Sequence, residues 1–213
     1  DFAQGLRGTV RISANTSAIT QFLPEDLALY VADHPDMRID LAEQTSDEIV
    51  KAVRDGIADI GIFSGMIPDP ELDVYTYRRD TLMVLTPEGH PLGTDGPLSF
   101  AEFSMHDLVG LQKGSSLQAF IENRAAEQEI ELRTRVEVLS FDGVRRMVEA
   151  GLGIAILPLG AVEPYLRASN LRMAPVAEPW AERTLKVAVR DTEALARPIK
   201  LLMAHLTSEF TED

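Results

Sequence analysis

Residues 8–65 read GTVRISANTSAITQFLPEDLALYVADHPDMRIDLAEQTSDEIVKAVRDGIADIGIFSG. Three apolar runs, Val10 to Ser13, Met37 to Leu41 and Ala58 to Phe63, alternate with two helix-like runs. Val10 and Ile12 alternate with polar neighbours, and so do Met37, Ile39 and Leu41, which is the period of a half-buried strand. Ala58 to Phe63 is apolar almost throughout, as in a strand covered on both faces. Between these strands, Ile19, Phe22, Leu23, Leu27, Tyr30 and Val31 share one helical face, predicting a helix over 17–33 that ends at His34-Pro35. Ser46 is the expected cap of a second helix through Asp55, with Gly56 as its left-handed stop. Small hydroxyl residues follow the first two strands: Thr16 and Ser17, then Thr45 and Ser46. In an open α/β sheet, ligands bind at the carboxyl ends of strands, beside helix starts whose free N–H groups favour an anion.

Beyond residue 65 the rhythm changes. Leu72–Tyr77 and Thr81–Thr86 read as two strands separated by the charged Arg78-Arg79-Asp80, and 87–97 reads as loop. A short helix follows Ser99. Strands are expected at 107–111, 134–139, 154–157, 171–176 and 184–190. Helices are expected from Lys113-Gly114-Ser115-Ser116 to about Glu129, at 142–150, and at 197–210. The order is βαβαβ, a crossing, a second βαβαβ-like set and a final helix. It predicts two α/β lobes, with residues 1–80 and 188–213 forming one and 81–187 the other.

The chain has 213 residues, enough for two lobes of ~100 residues each. It is 45% hydrophobic and 25% charged, in the range of globular proteins. The net charge of −14 argues against these residues gripping nucleic acid, which needs clustered Lys and Arg. No apolar run reaches the ~18 residues of a membrane span. With no cysteine, disulfide and thiolate chemistry are excluded and the compartment is left open. The chain starts at Asp1 without a charged-then-apolar leader, and DFAQGLRG reads as a polar linker entering a strand, so the expectation is an excised C-terminal domain.

Several segments together resemble the C-terminal effector-binding domain of LysR-type transcriptional regulators. They are LRGTVRIS, FLPEDLALYVADHPDMRIDL, EIVKAVRDGIADIGI, the HPL turn at His90-Pro91-Leu92, and VRRMVEAGLGIAILP from Val144 to Pro158. The resemblance runs from about Leu6 to about Phe210. It departs at Ile57-Ala58-Asp59, where many members carry a Leu-Asp pair; Asp59 keeps the acid. The resemblance implies a type 2 periplasmic-binding-protein fold: two α/β lobes with mostly parallel sheets, joined by a two-stranded hinge, with a ligand cleft between them. It also implies an N-terminal winged helix-turn-helix that binds promoter DNA and is absent from these residues. Antiparallel homodimers and full-length tetramers follow from the same source, as does a cytoplasmic location.

Candidate ligand-binding residues lie at the expected strand ends. They are Thr16, Ser17, Thr45, Phe63 and Ser64 in the first lobe, and Gln112, Lys113, Ser115, Ser140 and Phe141 in the second. Lys113 is the cation among them, which favours a small carboxylate or other anion as effector. Gly153 and Pro158 read as structural. No catalytic, metal or cofactor site is expected. Gly151-Leu152-Gly153 precedes an apolar strand and lacks a third glycine, so it is no dinucleotide fingerprint. Gly114-Ser115-Ser116 is no nucleophile elbow. His34, His90, His106 and His205 share no ligand spacing. Acidic pairs such as Asp69/Glu71 and Glu127/Glu129 read as solvated surface. The expected function is effector sensing without turnover. An extracytoplasmic solute-binding protein of a transporter is the alternative, because it shares the fold.

Overall fold

The computed structural model describes residues 8–65, 70–93 and 96–208. Arg7, Asp69 and parts of the expected 87–97 loop and 197–210 helix, at 94–95 and 209–210, lie outside the described residues. In chain order the elements are β1 (Gly8–Ala14), α1 (Thr16–Gln21), α2 (Leu23–Asp33), β2 (Met37–Glu43), α3 (Ser46–Arg54) and β3 (Ile60–Ser64). Then come β4 (Asp73–Pro87), α4 (Phe100–Phe103), β5 (Leu108–Leu111), α5 (Ser116–Glu127), β6 (Thr134–Val138) and α6 (Phe141–Glu149). The chain continues through β7 (Ala155–Pro158), α7 (Leu159–Leu166), β8 (Leu171–Pro175), β9 (Glu182–Val189) and α8 (Arg197–Leu206). Two compact units result. The first takes the chain up to Arg79 and again from Thr184; the second is Asp80–Arg183. Both β4 and β9 run from one unit into the other.

In the first unit β1 lies between β2 and β3, parallel to both, with Val10 opposite Ile39 and Ile12 opposite Ile60. β3 pairs antiparallel with β9, Ile62 opposite Val187. The period of two in β3 explains its unbroken apolar run. Ile60 and Ile62 pack with Val10, Ile12, Leu202 and Met203 on one face, while Phe63 packs with Ile49 and Val53 of α3 on the other. Gly61 lies beneath α3. A Cβ there would stand 2.7 Å from Val53 Cγ2 and 2.8 Å from Ile49 Cγ2. Its hydrogen therefore sets how close helix and strand approach.

In the second unit β4 pairs antiparallel with β7 and β8, and β5 pairs parallel with β6. Leu108 bridges Ile154, so the chain passes from Gly153 directly beside β5. A Cβ on Gly153 would sit 2.5 Å from the Asp107 carbonyl oxygen, a backbone atom that has no side chain's freedom to swing away. Gly153 is structural for that reason. Leu82, Val84, Leu85, Phe100, Phe103, Val148 and Ile154 are buried in this unit's core.

Four sequence expectations need correction. The single helix over 17–33 is two. Pro24 at the second position of α2 has no N–H to continue the α1 ladder, and Phe22 turns with φ −130°. The two strands around Arg78-Arg79-Asp80 are one strand, β4. Its charges are tolerated because Arg78 pairs with Asp26 at 2.8 Å and Asp80 pairs with Arg183. Helix α7 is absent from the sequence reading. Gly160 and Pro164 weigh against it locally, but burial of Ala161 and Val162 overrides propensity. The cap of α3 is Thr45, not Ser46.

Candidate functional site

In the first unit, the carboxyl ends of β1 and β3 and the start of α1 are tied together by Asn15. Its backbone N–H donates to Ile62 O at 3.0 Å, and its Oδ1 accepts from the N–H of Ala18 at 3.0 Å as the cap of α1. Its Nδ2 donates to Ser64 Oγ at 2.9 Å. Asn15 is 2% exposed, so these bonds form largely away from water. The N–H of Gln44 donates to Ala14 O at 3.0 Å, and the Ser13 hydroxyl donates to the Gln44 side chain. Thr16 opens α1 half-buried, and its hydroxyl donates to Glu43 Oε1 at 2.6 Å. Ser17 is buried.

Thr45 forms a capping box with Glu48. The N–H and hydroxyl of Thr45 donate to Glu48 Oε2 at 2.9 and 3.0 Å, and the Glu48 N–H returns to the hydroxyl at 3.4 Å. The Thr45 N–H, then its hydroxyl, hold the Glu48 carboxyl below its ordinary range. Glu43, Asp47 and Glu48 crowd this end of β2 and α3. The start of α3 therefore supplies its own anion and repels a second.

The second unit offers a different balance. Ser115 caps α5, accepting from the N–H of Gln118, and α5 carries no acid in its first turn. Gln112 and Lys113 precede it, both exposed, and the Gln112 N–H donates to Val138 O at 3.0 Å. Ser140 caps α6 by accepting from the N–H of Gly143 at 3.1 Å. There Asp142 is neutralised by Arg145 at 2.6 Å. A twelve-residue helix whose first turn holds no carboxylate, with a lysine beside it, is the most anion-friendly position among the sequence-derived candidates.

Phe63 and Phe141 are buried and belong to the cores of their units. Their rings offer a ligand no surface. The sequence reading misses Asn15, although asparagine is among the strongest cap residues and immediately precedes Thr16. Among the described residues no group of three or more His, Asp or Glu could hold a metal ion. No described helix is long and apolar enough to cross a membrane.

Two α/β units with hydroxyl and amide groups at their strand ends define a ligand-binding scaffold. A family model described as the LysR substrate binding domain matches residues 3–211, and the chain belongs to that family. Curated relatives that it matches are named as transcriptional regulators. The "Probable RuBisCO transcriptional regulator" of Emiliania huxleyi is 26% identical over 200 residues, covering 91% of this chain and 63% of that protein. The chain spans 63%, 65% and 61% of the lengths of three such relatives. The solved BenM effector binding domain with its effector benzoate is 26% identical, with a TM-score of 0.78 over 96% of this chain and 95% of that one. The Synechocystis PCC6803 CcmR regulatory domain, solved in complex with 2-PG, has a TM-score of 0.85 over 97% of this chain and 99% of that one. At 19% identity, the second comparison shows the fold alone.

Proposed function

We propose that this chain is the effector-sensing part of a cytoplasmic LysR-type regulator that binds a small acidic metabolite and catalyses no reaction. The observation that carries this reading is the family match over 3–211, joined to the 26%-identical BenM effector binding domain solved with its effector benzoate. Within it, the start of α5 is the proposed anion position: Lys113 supplies charge and Ser115 a hydroxyl, with Gln112 and Ser140 at neighbouring strand ends. In the first unit Asn15, Thr16, Ser17 and Ser64 are the proposed polar contacts. Thr45 is assigned to capping, because both its donors are committed to Glu48. Effector binding selects one of two conformations, and a coupling of ~1–3 kcal/mol suffices to change promoter occupancy several-fold. The promoter contacts are assigned to a winged helix-turn-helix outside these residues.

The test is a thermal-shift screen against organic acids, aromatic carboxylates, amino acids and inorganic anions. A ligand at ~100 times its dissociation constant adds ~2.7 kcal/mol, a rise of several degrees at this size. Lys113→Met and Thr16→Val are then expected to weaken the hit by ~1–3 kcal/mol each in calorimetry. Full affinity in both variants would sink the site assignment, and a panel with no hit would count against sensing of a small acid.

We also propose that two copies pair through α2 and β2. Strand β2 lies at the edge of its sheet, and its outer side has no strand partner among the described residues. Leu41 on β2 is 39% exposed, and Leu29 on α2 is 62% exposed. A concentration-dependent mass in solution is the direct test.

A further inference from the structure

A concavity lies in the first unit, at the opposite end of β3 from Ser64 and its partner Asn15. Its volume is about 230 Å³. Its charged lining is Arg11, Asp59, Arg190 and Asp191, and Val53, Leu195 and Ile199 are among its apolar lining.

Arg11, Asp59 and Arg190 differ in what they have left to give. The Asp59 carboxylate accepts from Arg11 three times: the backbone N–H at 2.8 Å, Nε at 3.2 Å and Nη2 at 2.6 Å. Burial alone would raise the Asp59 carboxyl, but the bonds and charge of Arg11, with the charge of Arg190, bring it below its ordinary range. Arg11 and Asp59 thus close on each other. Arg190 adds only its field to Asp59, and among the described residues its guanidinium has no hydrogen-bond acceptor. Its Nη1 lies 3.1 Å from where a Cβ on Gly56 would stand, so the fork rests over the left-handed turn that ends α3.

Asp191, which also lines the concavity, is committed to its own loop, and that loop is braced by hydrogen bonds. Asp191 Oδ1 accepts from the N–H groups of Glu193 and Ala194 at 3.0 and 3.4 Å. The Thr192 N–H donates to Asp73 at 2.8 Å, and its hydroxyl bonds the Tyr75 hydroxyl at 2.8 Å. Leu195 and Ile199 are carried on this fixed loop and the first turn of α8. A guanidinium fork and short apolar side chains lining one concavity match a planar carboxylate with an aliphatic tail.

We propose that this concavity binds a small aliphatic carboxylate through Arg190, independently of the strand-end residues. The experiment titrates the ¹⁵N-labelled chain with acetate, propionate and butyrate, and separately with inorganic phosphate and sulfate. Affinity is expected to rise from acetate to butyrate, with amide shifts centred on Gly56 and 194–199. Arg190→Gln is expected to weaken butyrate at least tenfold. Ala194→Leu, which fills the concavity and leaves every charge in place, is expected to do the same, so the result does not hang on one variant folding. Thr16→Val is expected to change nothing here, which separates this site from the proposed effector position. The proposal is overturned if no acid binds, or if both concavity variants bind butyrate like the parent chain. Phosphate or sulfate binding as tightly as butyrate would overturn the carboxylate assignment.

Discussion

At the scale of the residue, the pair Asp80–Arg183 sets the sharpest energetic condition. The two side chains are 1% and 5% exposed and meet through two guanidinium nitrogens, one on each carboxylate oxygen. Removing one member takes this two-bond partner from the other charge inside a nearly dry site. Arg183→Leu is expected to cost ~3–5 kcal/mol in urea unfolding, and pairing it with Asp80→Leu to recover much of that loss. A single-variant cost under ~1 kcal/mol would show that water reaches the site. This pair is not legible in the sequence, because its members are far apart along the chain. Caps are partly legible. Thr45 and Ser46 both suit the role by residue type, which is why the sequence alone points to the wrong one. The discriminating signal is Glu48, which completes a capping box with Thr45 only. Asn15 is masked by the two hydroxyl residues that follow it.

At the scale of the element, periodicity locates most strands and helices, since burial on one or two faces leaves a direct imprint on the pattern. It fails where a long-range contact overrides a local rule. β4 continues through three charged residues because partners far along the chain neutralise two of them. α7 forms despite Gly160 and Pro164 because its inner face is covered. The break between α1 and α2 is readable from Pro24, once that residue is placed at the start of a second helix and not early in a single one. The outward side of β2 and α2 carries the self-association reading. Leu29→Glu, together with Leu41→Lys, is expected to lower the light-scattering mass at high concentration toward one copy. A parent chain that stays at the mass of one copy would refute it.

At the scale of the whole molecule, stability is expected to fall in two stages on acidification. Burial, then the charge of His106, holds His90 below its ordinary value, and the two rings lie 4.9 Å apart. A depressed folded value means the unfolded chain binds the proton more readily. The His90 contribution is therefore complete above pH ~6.5 and is lost as pH falls through the folded value. Asp59 and Asp73, also held low, act in the same direction at more acid pH. His90→Asn is expected to flatten the first stage of the midpoint-versus-pH curve and leave the second. An unchanged first stage would assign it to other groups. The two-unit plan and the strand-end candidates are legible in the sequence. The concavity beside Arg190 is not, because it is assembled from separate stretches of chain. The same discontinuity governs synthesis. The second unit is one uninterrupted stretch and is complete once Arg183 has left the ribosome. The first begins earlier, yet Gly61 must wait for Ala188, its partner on β9, before that sheet can close. The part of the molecule made first is therefore the part finished last, and until then β3 has one edge with no strand to meet.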